Sequence, residues 1–131
     1  MEKTTTNLNV KETMIEYTDD KPFDYVLILD FEATCWDKDD TSKNKGTVQE
    51  IIEFPVLAID VKKLEVAYKF HHYIKPTENP ILSKFCTELT GIEQNTVDKG
   101  ILLTEALSKL DDFMKETNII KSNFIIATCG D

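Results

Sequence analysis

Arginine is missing altogether from these 131 residues, so every fixed positive charge is a lysine. Basic residues are also outnumbered, 15 against 24 acidic ones, for a formal charge of −9. A chain this acidic repels phosphate backbones unless a local basic patch or bound cations intervene, which argues against a simple electrostatic nucleic-acid binder. Glycine and proline are scarce, four of each, few for an all-β fold built on tight turns. The three cysteines, Cys35, Cys86 and Cys129, form no Cys-x-x-Cys pair to hold zinc or run dithiol chemistry, and are expected to be reduced packing residues. Residues 1–22 are polar, with Lys3, Lys11, Glu16, Asp19 and Asp20, and lack the apolar stretch of an export signal or membrane span. These absences predict an intracellular protein, cytoplasmic or nuclear, with no membrane contact and a flexible lead-in over residues 1–22. What is present, 41% hydrophobic and 9% aromatic residues, suffices for the core of one domain.

The first apolar run, Tyr25-Val26-Leu27-Ile28-Leu29, is short and rich in bulky or β-branched residues, and predicts a central strand buried on both faces. A charged, polar stretch from Asp37 to Gly46 predicts an exposed loop. A second strand is expected from about Gln49 to Asp60 and a third over Leu64–Ile74, with Leu64, Val66, Tyr68, Phe70 and Ile74 on one face. The link Val61-Lys62-Lys63 is too short for a crossover, so these two strands should pair antiparallel. Ile81, Leu82, Phe85, Cys86 and Leu89 then repeat at helical spacing, ending at Gly91, a left-handed cap. A second helix is expected from an N-cap at Thr104, with Ala106, Leu107, Leu110, Phe113 and Met114 as its apolar stripe. Phe124-Ile125-Ile126-Ala127 predicts a further buried strand, able to return parallel to the first. The layout is α/β.

Asp30 and Glu32 follow the first strand two residues apart, so their carboxylates project to one face with Phe31 turned the other way. Two readings stand on spacing alone. Either both acids are solvated where the strand ends, or they share a divalent cation such as Mg²⁺ or Mn²⁺, which relieves the cost of crowding two negative charges.

The surrounding strings are more specific. Asp30-Phe31-Glu32-Ala33-Thr34-Cys35, Gln49-Glu50-Ile51-Ile52-Glu53-Phe54-Pro55, Phe85-Cys86, Leu89-Thr90-Gly91-Ile92 and Ala127-Thr128-Cys129-Gly130-Asp131 occur in that order. Together they resemble the 3′-to-5′ exoribonucleases that regulate histone mRNA and RNA interference, within the DnaQ-like DEDDh exonucleases. The resemblance covers about residue 24 to the C-terminus. It implies a ribonuclease H-like fold, a mixed sheet with three antiparallel strands first and a parallel fourth, its C-terminal part missing. It implies two Mg²⁺ or Mn²⁺ ions, with Asp30 and Glu32 as catalytic metal ligands. Glu32 and Ala33 would then meet the terminal nucleotide, and Phe85 would either stack on a base or serve the core. The implied substrate is a single-stranded RNA 3′ end, with structured RNA as a further partner.

The family pattern continues past Gly130-Asp131 with a Trp-Asp pair that supplies the third acidic ligand, then a general-base histidine and a fourth acid. Asp131 stands two positions short of that third ligand, and His71 and His72 come too early for the base; both are expected to be surface or half-buried strand residues. Residues 23–131 therefore read as the N-terminal portion of one exonuclease domain, expected to be inactive alone. A non-catalytic RNA-binding or regulatory module on the same scaffold is the alternative.

Overall fold

The structure, a computed structural model, describes residues 22–40 and 47–129. The lead-in expected over residues 1–22, all but Pro22, and positions 41–46 of the expected exposed loop lie outside these residues.

β1 (Tyr25–Leu29) and β2 (Glu32–Ala33) follow one another along one edge of β3 (Ile51–Asp60), both antiparallel to it. β4 (Glu65–Tyr73) pairs antiparallel with the other edge of β3, and β5 (Phe124–Thr128) pairs parallel with β1, Leu27 lying opposite Ile126. The mixed, three-antiparallel-then-parallel order expected from the sequence is thus the observed one, with β2 as an additional two-residue strand. The β3–β4 turn is stapled by Asp60, whose Oδ1 accepts the N–H groups of Lys62 and Lys63 at 2.9 Å each. Leu64, expected to open the third strand, instead lies in this turn with φ 56° and is exposed. The register then slips, with Ile59 opposite Val66 but Ala58 opposite Tyr68, so Val66 and Tyr68 face opposite sides. The single apolar face expected over Leu64–Ile74 is broken there.

α1 (Lys84–Thr90) ends at Gly91 with φ 73°, as expected, but starts at Ser83, whose Oγ accepts the Cys86 N–H at 3.0 Å, so Ile81 and Leu82, expected on its stripe, precede the helix. α2 (Gln94–Asp98) is too short to leave a periodic signal. α3 (Leu103–Glu116) begins ahead of Thr104, and Leu102 holds the N-cap position without a side-chain bond. A 3₁₀ turn (Ile119–Lys121) leads into β5.

One face of the sheet packs on α3 and the 3₁₀ turn: Leu27, Phe54, Val56, Ala58 and Phe70 meet Ala106, Met114 and Ile119. Ile52 joins a second cluster with Cys86, Ile92 and Val97, which seats α1 and α2. Leu107 and Leu89, expected on apolar stripes, are exposed. β1 and β5 are not buried on both faces as expected: Ile28 is 41% exposed and Ile125 43%. The residues that alternate with the packed ones have no covering element among the described residues, so the apolar run reports strand propensity more than burial.

Candidate active site

Asp30 and Glu32 lie at the C-terminal end of β1, where the chain leaves the central strand and re-pairs with β3 through β2. Phe31 between them turns to the packed face and meets Phe54 edge-on at 4.7 Å. That aromatic contact fixes the alternation, so both carboxylates belong to the opposite, uncovered face. Asp30 is exposed and Glu32 half-buried. Burial, the neighbouring Asp30 and then Glu53 all push the Glu32 carboxyl above its ordinary range. Among the described residues neither Asp30 nor Glu32 has a side-chain hydrogen bond or ion pair, and no three His, Cys, Asp or Glu side chains converge as a metal cluster.

The strand after these acids is held tightly. Thr34 is buried, donates its N–H to the Glu50 carbonyl at 2.8 Å and accepts the Glu50 N–H on Oγ1 at 2.9 Å. The Glu50 carboxylate in turn accepts the N–H groups of Thr77, Glu78 and Asn79. Burial alone would raise its pKa, but these donors outweigh it and lower it. On the other side Ala33 offers its carbonyl to the Cys86 thiol at 3.6 Å, and the Cys35 carbonyl accepts from Ser83 Oγ at 2.7 Å. The motif segment is therefore clamped between β3 and α1.

The structure brings Asp30, Glu32 and Ala33 together and puts Phe85 one position from Cys86, which touches Ala33. Phe85 is 37% exposed and lines an open cavity of about 360 Å³ with Asp37, Asp39, Lys84 and Glu88. A plain core role for this ring, left open by its helical phase, does not describe it. A larger cavity of about 420 Å³, between Ile51, Lys75 and Leu103, is not lined by either carboxylate. The cysteines are free, and Cys35 and Cys86 pack together as expected; burial and the Cys86 thiol push the Cys35 thiol up to about 11. Cys129 is exposed and departs from that expectation. His71 is exposed and His72 half-buried on β4, as expected.

Sequence reasoning missed one pair at this corner. Glu53 lies directly opposite Glu32, and its Oε1 is 2.7 Å from His71 Nε2. The signal lay in the register of the antiparallel strands: Glu53 and His71 are brought to one face only once Glu53 is set opposite Tyr73 and Pro55 opposite His71.

The exonuclease family profile RNase_T matches residues 27–131, from the middle of β1 onward. The chain belongs to the exonuclease family. Within it, the chain groups with the ERI1-type DEDDh 3′-5′ exonucleases. It is 48% identical over 94 residues to ERI1 exoribonuclease 2 of Xenopus laevis, covering 72% of this chain and 13% of that protein. The nuclease domain of 3′hExo, a DEDDh family member solved bound to rAMP, superposes with a TM-score of 0.74 at 38% identity, over 82% of this exonuclease chain and 52% of that one. A 3′-exonuclease solved in 3′-end-specific recognition of the histone mRNA stem-loop matches with a TM-score of 0.74 at 38% identity, over 83% of this chain and 37% of that one. The chain thus spans a minor part of its curated relative and about half of the solved nuclease domain. The ribonuclease H-like exonuclease fold implied by the motifs is the fold of these neighbours.

Proposed function

We propose that this chain carries the first half of a two-metal site that hydrolyses phosphodiester bonds from the 3′ end of RNA. The observation that carries the reading is the pair Asp30 and Glu32: two hard oxygen donors side by side, unpartnered among the described residues, with Glu32 held partly out of water beside two other negative charges. Crowded carboxylates without a protein cation fit a divalent ion of the Mg²⁺ or Mn²⁺ class. Two such ions, once bound, supply positive charge to the scissile phosphate and raise the acidity of the attacking water.

The chain's own residues then have definite tasks. Asp30 and Glu32 hold the ions; the clamped Thr34 and Ala33 fix the Glu32 backbone, so the carboxylate pair meets substrate with little reorganisation. Ala33 and Glu32 flank the terminal nucleotide, and the exposed ring of Phe85 offers a stacking surface for a base. Ribonucleotide and RNA ligands in the solved relatives support a single-stranded RNA 3′ end as substrate, with structured RNA beside it. The acidic surface is compatible with this because the local positive charge comes with the ions. Among the described residues Asp30 and Glu32 supply two of the acids, and His71 at the same corner is engaged by Glu53, so the 131-residue chain by itself is inactive, residues 23–131 being the N-terminal portion of one domain. Three unbridged cysteines agree with an intracellular, cytoplasmic or nuclear site of action. Among the described residues no helix is long and apolar enough to cross a membrane.

Calorimetric titration of the chain with Mn²⁺ tests the reading. Heat of binding is expected for the wild type and lost in both Asp30→Ala and Glu32→Gln, while a 5′-labelled single-stranded RNA stays intact with the chain and Mg²⁺. A folded wild type that binds no Mn²⁺ would favour a non-catalytic module, and 3′ trimming by the chain alone would show that two acids suffice.

A further inference from the structure

We propose that His71 is a positioning residue for the carboxylate pair: it holds Glu53 away from Asp30 and Glu32, so this corner presents two carboxylates to a divalent ion and not three. The inference rests on the metal reading of Asp30 and Glu32 given above.

Glu53 is the third acid of the corner. It lies directly opposite Glu32 in the antiparallel pair, where opposing side chains stand about 4.5–5.5 Å apart at Cβ. A carboxylate there has the reach to join an ion held by its neighbour. It does not: no three acids converge among the described residues, and Glu53 Oε1 is instead 2.7 Å from His71 Nε2. His71 stands opposite Pro55, two residues along β3 and on the same face, so its ring reaches back diagonally. The acceptor is a carboxylate, so Nε2 carries the proton and donates. The ring is itself steadied by Tyr73, edge-on at 4.9 Å, and Tyr73 stands opposite Glu53 on the other edge of β3. Glu53 is thus bracketed by Tyr73 and His71 on the side away from Glu32.

The consequence concerns coordination number. An Mg²⁺-type ion keeps several waters and leaves positions for substrate phosphate when it is bound by one or two carboxylates. A third local carboxylate would tighten the ion while filling a position the phosphate needs.

Mn²⁺ titration of the 131-residue chain, followed by calorimetry, gives the first readout, and the ¹³C resonance of the Glu53 side-chain carboxyl in metal-free chain gives the second. His71→Ala is expected to bind Mn²⁺ about three- to tenfold more tightly, from the added ligand charge. It should also shift the Glu53 resonance. His71→Gln, whose amide keeps a donor at similar reach, should retain wild-type affinity and resonance, and Glu53→Gln added to His71→Ala should cancel the gain. Unchanged affinity in a folded His71→Ala variant, or a gain that survives Glu53→Gln, overturns the proposal. Absence of Mn²⁺ binding in the wild type would remove the metal reading and this consequence with it. An unmoved Glu53 resonance in His71→Ala would instead refute the positioning contact alone.

Discussion

Glu32 has Asp30 beside it and Glu53 across from it, and burial, then these two charges, raise its pKa. A raised carboxyl binds its proton more readily in the folded chain than in the unfolded one. Stability therefore falls as pH rises from the ordinary glutamate range through the raised value, and the penalty is full above it. Glu32→Gln should stabilise the metal-free chain at pH 7, by less than about 1 kcal/mol for like charges directly opposed on a sheet. Urea unfolding should show that gain at pH 7 and none at pH 4. Glu50 is the converse case: burial opposes its ionisation, yet three backbone N–H groups of the 77–79 segment lower its pKa. Its contribution is present above the ordinary glutamate value and is lost as pH falls through the lowered one. Glu50→Gln should cost roughly 1.5–3 kcal/mol at pH 7, the worth of hydrogen bonds to a charged group. In an acid titration of stability the two curves should converge below the lowered value.

At the scale of elements, the join between α2 and α3 depends on Gly100. A Cβ there would stand 2.7 Å from the Tyr73 carbonyl oxygen, and the adjacent backbone bonds, Ile101 N–H to that same oxygen at 3.1 Å and Lys75 N–H to the Ile101 carbonyl at 2.9 Å, leave no slack. Gly100→Ala is expected to destabilise by about 1–3 kcal/mol, as overpacking does elsewhere, read as a lowered midpoint in thermal unfolding. This close approach was not legible in the sequence, because Gly100 carries no periodic or capping signal. Gly91 was legible, since it follows a helical stripe at the place a left-handed cap is needed. β1 was legible as a short apolar run, β4 from alternation, and the pairing of β3 with β4 from the three-residue link between them; β2 was not, two residues being too few to alternate. The Thr104 N-cap failed because the helix begins one residue earlier, at Leu103, with Leu102 in the cap position. Within the site, the spacing and strings around Asp30 and Glu32 could be read directly. Glu53 and His71 could be paired only after the strand register was known.

On the scale of the whole molecule, the sheet is packed on one side and uncovered on the other among the described residues. Ile119 is fully buried against that packed side, whereas Ile125, opposite Val26 on the uncovered side, is 43% exposed. Ile119→Ala should cost about 2–5 kcal/mol, the range for a buried large-to-small change. Ile125→Ala should cost under about 1 kcal/mol, the span of strand propensities at open positions. Chemical denaturation of the two variants side by side distinguishes the faces.

β1, the strand that delivers Asp30 and Glu32, takes β3 on one edge and β5 on the other, and its start is tied to Asn123, 99 residues later, through Asp24. During synthesis that second edge must wait for β5 to emerge. At about 5–20 residues per second the interval is roughly 5–20 s. For that time β1 exposes a row of unpaired N–H and C=O groups that a strand of another nascent chain can occupy. The arrangement that centres the acids in the finished sheet therefore leaves their strand open to mispairing on the ribosome until β5 arrives.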